Sequence, residues 1–171
     1  MGVILRIMGL DPSLSATGMC LPDNRVLTIK CKSDWGDDRL VLIRNVVRRF
    51  ITETSPDIVI MEDKLHSSFS AAPLGMVQGV IRAEFIDHRV PYVLISPKTL
   101  KKFATGNGNA DKAAMIAAAR KRARVIFKDD NQCDAFFLRQ AGLDHYELPT
   151  DLGPDRDPYR ALGVVRWPVR V

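Results

Sequence analysis

The sequence predicts an α/β fold: a mixed five-stranded sheet with helices on both faces. Three apolar segments come first and are joined tightly, which builds antiparallel strands. The later apolar segments alternate with helical patterns, which builds parallel strands with crossover helices. At 171 residues, with 46% hydrophobic and 26% charged, the chain is long enough to bury one substantial core.

Residues 2–10 form the first strand, dense in β-branched and aliphatic side chains, and Asp11-Pro12-Ser13 turns the chain. Residues 15–21 and 25–31 are two more strands across the hairpin connection Pro22-Asp23-Asn24. Over 39–53, Leu40, Ile43, Val47, Phe50 and Ile51 fall on one helical face. Ser55-Pro56 ends that helix, and 57–61 is a short apolar strand. Residues 70–87 are helical, with Gly75 and Gly79 at a spacing that allows close packing within the subunit or against a second one. Residues 91–95 are the fifth strand, and Pro97 starts a short basic helix to about Phe103. TGNGNAD is a loop, from which Asn109 or Asp111 caps a helix to about Arg124. Residues 130–142 form the last clear helix. The domain thus spans 1–143. The segment 144–171, with four of the ten prolines and little periodicity, is expected as an extended arm or partly ordered tail.

Charge is uneven. Between Lys98 and Lys128 there are nine Lys/Arg against one acid, within a chain of net charge +5. Such a basic sector is an anion-binding face, with nucleic acid the first candidate; a solvated helix face is the plainer alternative. Cys20, Cys31 and Cys133 are widely spaced, without a CxxC pair, which argues against a zinc site or a disulfide framework. With no leader pattern and no apolar run near the roughly 18 residues of a membrane span, a cytosolic protein is expected.

Four carboxylates stand where hydrophobic runs end or begin. Asp11 closes VILRIMGLD, Glu62 closes DIVIME, and Asp130 and Asp134 open DDNQCDAFFLRQAGL. A carboxylate at the tip of a buried strand is costly unless paired or bound to a cation. Acids gathered from distant segments form a site of hard oxygen donors suited to Mg²⁺ or Mn²⁺.

The segments GLDPSLSATG (9–18), IVIMED (58–63), PKTLKKFATGNGNADK (97–112) and DDNQCDA (129–135) resemble the motifs of RuvC-type Holliday junction resolvases. The resemblance covers roughly residues 2–142 in the family's order. It implies a ribonuclease H-like fold and a homodimer that binds a four-way DNA junction. It also implies two symmetric, Mg²⁺-dependent nicks leaving 5′-phosphate and 3′-hydroxyl ends, with two ions per active site.

Under that resemblance Asp11, Glu62 and Asp134 are the catalytic, metal-binding acids, and a carboxylate at Asp11 would bridge two ions about 4 Å apart. Asp63 follows Glu62 but points to the opposite face of a strand. The family usually has an acid or a histidine three residues before the last Asp; here that position is Asn131, a weaker neutral ligand. Asp130, one turn before Asp134, either faces the cluster or serves as a helix N-cap. Lys101, Lys102 and Lys112 match basic positions of the family, with Lys112 a candidate to neutralise charge at the reacting phosphate. Lys98 and Arg120 extend the DNA face, together with Lys121, Arg122 and Arg124. Phe69 is either a core or dimer-contact residue or a base-stacking one at the crossover, and His66 is a loop residue. Ser13, Ser15 and Thr17 shape the turn after Asp11.

Two alternatives stand beside junction resolution. One is a ribonuclease H-like nuclease with relaxed specificity for other branched DNA or for RNA. The other is a non-catalytic junction-binding protein, against which the intact Asp11, Glu62 and Asp134 argue. The variant tail inclines the reading to a phage-borne form.

Overall fold

In this computed structural model the structure describes residues 5–63, 71–153 and 157–168. Phe69 and His66 lie outside the described residues.

The strands are β1 (Ile7–Asp11), β2 (Ala16–Cys20), β3 (Val26–Lys30), β4 (Ile58–Glu62) and β5 (Tyr92–Ile95), in the sheet order β3-β2-β1-β4-β5. The first three are antiparallel neighbours, while β4 runs parallel to β1 and β5 parallel to β4. The mixed sheet expected from the connection lengths is therefore present. The hairpin turns at Asn24, which adopts a left-handed φ of 72°, a conformation that Asn tolerates better than most residues.

Among the described residues five helices connect and cover the strands: α1 (Asp38–Thr54), α2 (Ala71–Asp87), α3 (Pro97–Thr105), α4 (Lys112–Ala123) and α5 (Asp130–His145). Short 3₁₀ helices occupy Ser33–Trp35 and Asp157–Val164. Ser55 ends α1 in a left-handed conformation, its N–H donating to the Ile51 carbonyl at 2.8 Å. Ser96 caps α3 and Asp111 caps α4, each side chain accepting an N–H from the first turn. Asp111 thus settles the alternative with Asn109.

Alternation along the buried strands separates two cores. Met8, Leu10, Val59 and Met61 meet Ile43, Val47 and Ile51 of α1 and Val77, Ile81 and Phe85 of α2. Ile7, Ile58, Ile60, Val93 and Ile95 meet the apolar sides of α3, α4 and α5. Arg48 of α1 grips the buried Glu84 of α2 through both guanidinium arms, at 2.7 and 2.9 Å.

The segment after α5, in its described part, packs onto the domain rather than extending from it. Leu152, Ala161 and Leu162 are buried in the same core as Leu100, Phe103 and Ala104 of α3. Gln140 holds Asp151 through both side-chain ends, at 2.7 and 2.9 Å. A loop and a short 3₁₀ helix leave no long periodic trace in sequence, so these apolar contacts are not visible there. No helix among the described residues is long and apolar enough to cross a membrane.

Candidate active site

Parallel pairing of β1 with β4 places two acids at one sheet edge. Leu10 is the partner of Met61, so Asp11 and Glu62 stand one rung further on, side by side. Each ends a strand whose five residues are all buried, and they are themselves only 1% and 3% exposed. Gln78 of α2 supports this edge from the other face, its amide reaching the Glu62 carbonyl at 3.4 Å.

The first turns of α5 face these carboxylates. Two glycines set how closely the helix lies on the sheet. A Cβ on Gly9 would fall 2.0 Å from the Ala135 carbonyl oxygen, and one on Gly18 2.1 Å from that of Asn131. Asp129 is the N-cap of α5, its carboxylate accepting the Gln132 N–H at 3.0 Å and the Thr28 hydroxyl at 2.9 Å. This removes the capping role from Asp130. Asp130 instead forms an ion pair with Lys112, at the start of α4.

Asp11, Glu62, Asp130, Asn131 and Asp134 line one open cleft of ≈ 520 Å³, together with Lys101 and Lys112. Lys98, Lys102 and Arg120 are exposed but stand outside its lining. Arg122 does not extend the basic face. It turns inward and donates to the carbonyls of Phe103 and Ala104 at 2.9 and 2.8 Å, closing the C-terminal end of α3. Ser13 and Thr17 brace the turn after Asp11, the Thr17 hydroxyl donating to the Ser13 carbonyl at 2.6 Å.

The donor set is all oxygen, from carboxylates and one amide, which suits a hard divalent cation. Cys133 is buried in the core and does not line the cleft; burial above all, with Asp134 and Asp130 adding, pushes its thiol up to about 12. The carboxylates share the cleft without closing on one point. Among the described residues no three acidic, histidine or cysteine side chains form a group that could hold a metal ion.

Sequence reasoning missed Thr28, Asp129 and Gln78, which support the site without entering it. Asp129 was the legible one, since an Asp just ahead of an amphipathic run is a capping signal. Thr28 and Gln78 act through tertiary contacts that carry no local pattern.

Two buried acids at one edge of this mixed sheet, with two lysines lining the same cleft, are the arrangement of a metal-assisted phosphodiester site. A family profile described as "Crossover junction endodeoxyribonuclease RuvC" matches residues 7–135, and the chain belongs to that family. RuvC of Gloeobacter violaceus is 29% identical over 161 residues, covering 85% of this chain and 91% of the relative. RuvC of a Nocardioides species is 30% identical over 148 residues, covering 78% and 84%. The solved structure of Thermus thermophilus RuvC has the same fold, with a TM-score of 0.67 at 17% identity over 82% of this chain and 96% of that one. Its complex with a Holliday junction substrate superposes with a TM-score of 0.66 at 18% identity, covering 82% and 95%.

Proposed function

We propose that this protein resolves four-way DNA junctions by metal-dependent phosphodiester hydrolysis. One observation carries the reading: the buried Asp11 and Glu62 line one cleft with Asp130, Asn131 and Asp134, and Lys101 and Lys112 line it too. An acidic floor under basic walls suits a cation and a phosphodiester together.

Asp11 and Glu62 would hold divalent cations first, since they are the most deeply buried donors, with Asp134 and Asp130 or Asn131 completing the set. Two Mg²⁺ ions, replaceable by Mn²⁺, would supply charge neutralisation and a stronger water nucleophile. The protein's own part is positioning and field. Strand ends hold Asp11 and Glu62 rigidly, so little reorganisation accompanies reaction. Lys112 balances Asp130 in the resting site and would neutralise a phosphate oxygen as negative charge develops there. Lys101 orients the same phosphate from α3, while Lys98, Lys102 and Arg120 meet backbone phosphates outside the cleft. The expected products carry 5′-phosphate and 3′-hydroxyl ends.

Two equivalent strands must be cut, and a two-fold dimer matches them. The outer face of α2 fits the role. Met76 and Ile86 are 46% and 67% exposed, and the exposed Gly79 and Ala83 lie between them on the same face. The test is a nicking assay on a four-way junction, a three-way fork, linear duplex and an RNA hairpin, with and without Mg²⁺. Paired nicks confined to the junction and requiring metal support the reading. Equal cleavage of RNA or linear duplex contradicts it.

A further inference from the structure

A second groove, of ≈ 620 Å³, opens beside the cleft at the outer edge of β5. Asp63, Ser96 and Thr99 form one wall, and Val164, Val165 and Arg166 of the tail form the other. The two hollows share a partition. Glu62 and Pro97 line the first, and their chain neighbours Asp63 and Ser96 line the second. The Val164–Arg166 wall lies outside residues 7–135, which the family profile matches.

We infer that this groove takes the DNA strand that continues from the cleft, with Arg166 as its phosphate contact. This rests on the nuclease reading above. A nucleic-acid strand carries a charge every few ångströms, about 3.4 Å of helix axis per strand. A strand whose scissile phosphate sits in the cleft therefore places its next phosphates within reach of the shared partition. Arg166 is exposed and lines the groove, and a guanidinium can grip a phosphate through two parallel hydrogen bonds. Val164 and Val165 give an apolar surface for sugar and base. The Ser96 and Thr99 hydroxyls lie 2.9 Å apart and offer a neutral donor on the opposite wall.

The tail holds Arg166 in place. Asp151 is tied to Gln140 and, at 3.0 Å, to Asn24. The Gly153 N–H donates to the Arg122 carbonyl at 3.0 Å. Leu152, Ala161 and Leu162 are buried against α3. Next to Arg166, the Trp167 ring stacks on His145 at 3.9 Å with 7° between planes. The contact is thus ordered before DNA arrives, which lowers the entropy lost on binding.

The test uses the full chain with p-benzoylphenylalanine at Val164, and separately Arg166→Ala and Arg166→Lys. Expected are a photo-crosslink from position 164 to a junction strand next to the nick, and a salt slope of junction binding about one unit shallower in Arg166→Ala but retained in Arg166→Lys. With wild type binding and nicking the junction, absence of that crosslink, or an unchanged slope in Arg166→Ala, would overturn the inference. A wild-type chain that neither binds nor nicks the junction would overturn the nuclease reading and this inference with it.

Discussion

Gly18 touches Asn131 so closely that a single added carbon would lie 2.1 Å from the Asn131 carbonyl oxygen. Gly18 is also the cross-strand partner of Asp11. One rung of the sheet therefore fixes the first turn of α5 over the strand that carries the first acid. Gly18→Ala should push that turn outward, destabilise the fold by about 1–3 kcal/mol, as overpacking does, and reduce nicking. Gly9→Ala should act in the same direction, since its Cβ would meet the Ala135 carbonyl. Melting curves and nicking rates measure both effects; unchanged melting would show that α5 is free to shift.

Asp130 and Asn131 are competing candidates for a fourth ligand. Both line the cleft, but Asp129 already caps α5, so Asp130 is not spent on the cap and pairs with Lys112 at the cleft instead. A carboxylate attracts a cation more strongly than an amide. Asp130→Asn should therefore raise the Mg²⁺ needed for half-maximal nicking by roughly 10- to 100-fold, the scale on which metal sites respond to lost support. Asn131→Ala should change it little. The reverse order in a metal titration would assign the position to Asn131.

The exposed apolar face of α2 should be the dimer contact. Met76→Glu and Ile86→Glu would place charge in that contact, where it has no compensating partner. Both residues are exposed in the monomer, so melting of the isolated subunit should change little. Light scattering should show a dimer for wild type and a monomer for the double variant. A wild-type monomer at concentrations that resolve junctions would remove α2 from this role.

The Arg48 guanidinium holds the Glu84 carboxyl below its usual range. A depressed folded value contributes stability that is complete above the unfolded value of about 4.3 and is lost as pH falls through the folded one. Glu84→Gln should lower stability at pH 7 by about 2 kcal/mol, the scale of charge-assisted hydrogen bonds. It should also flatten the acid limb of stability below about pH 4.3. Denaturant melts at pH 7 and pH 3 measure this; equal losses at both would mean that Glu84 does not titrate.

The sheet was legible because strand patterns and connection lengths are local. Asp11, Glu62 and Asp134 were legible because apolar runs stop or start at them. Arg122 was not, because composition gives charge without direction, and its guanidinium turns inward to two carbonyls. The tail's burial was not legible either: Leu152 and Leu162 meet α3 from a loop and a short 3₁₀ helix, too short to leave a period to read. Gly9 and Gly18 were visible as residues, but their purpose appears only once α5 lies across them.

The central claim is that Asp11, Glu62 and Asp134 cut DNA that other residues bind. It is tested most directly by nicking and binding of one four-way junction by wild type, Asp11→Asn, Glu62→Gln and Asp134→Asn. Nicking in Mg²⁺ should be abolished in all three variants, while junction affinity in metal-free buffer is kept or slightly raised because phosphate repulsion falls. Variants that still nick, or that lose binding in step with nicking while remaining folded, would contradict it.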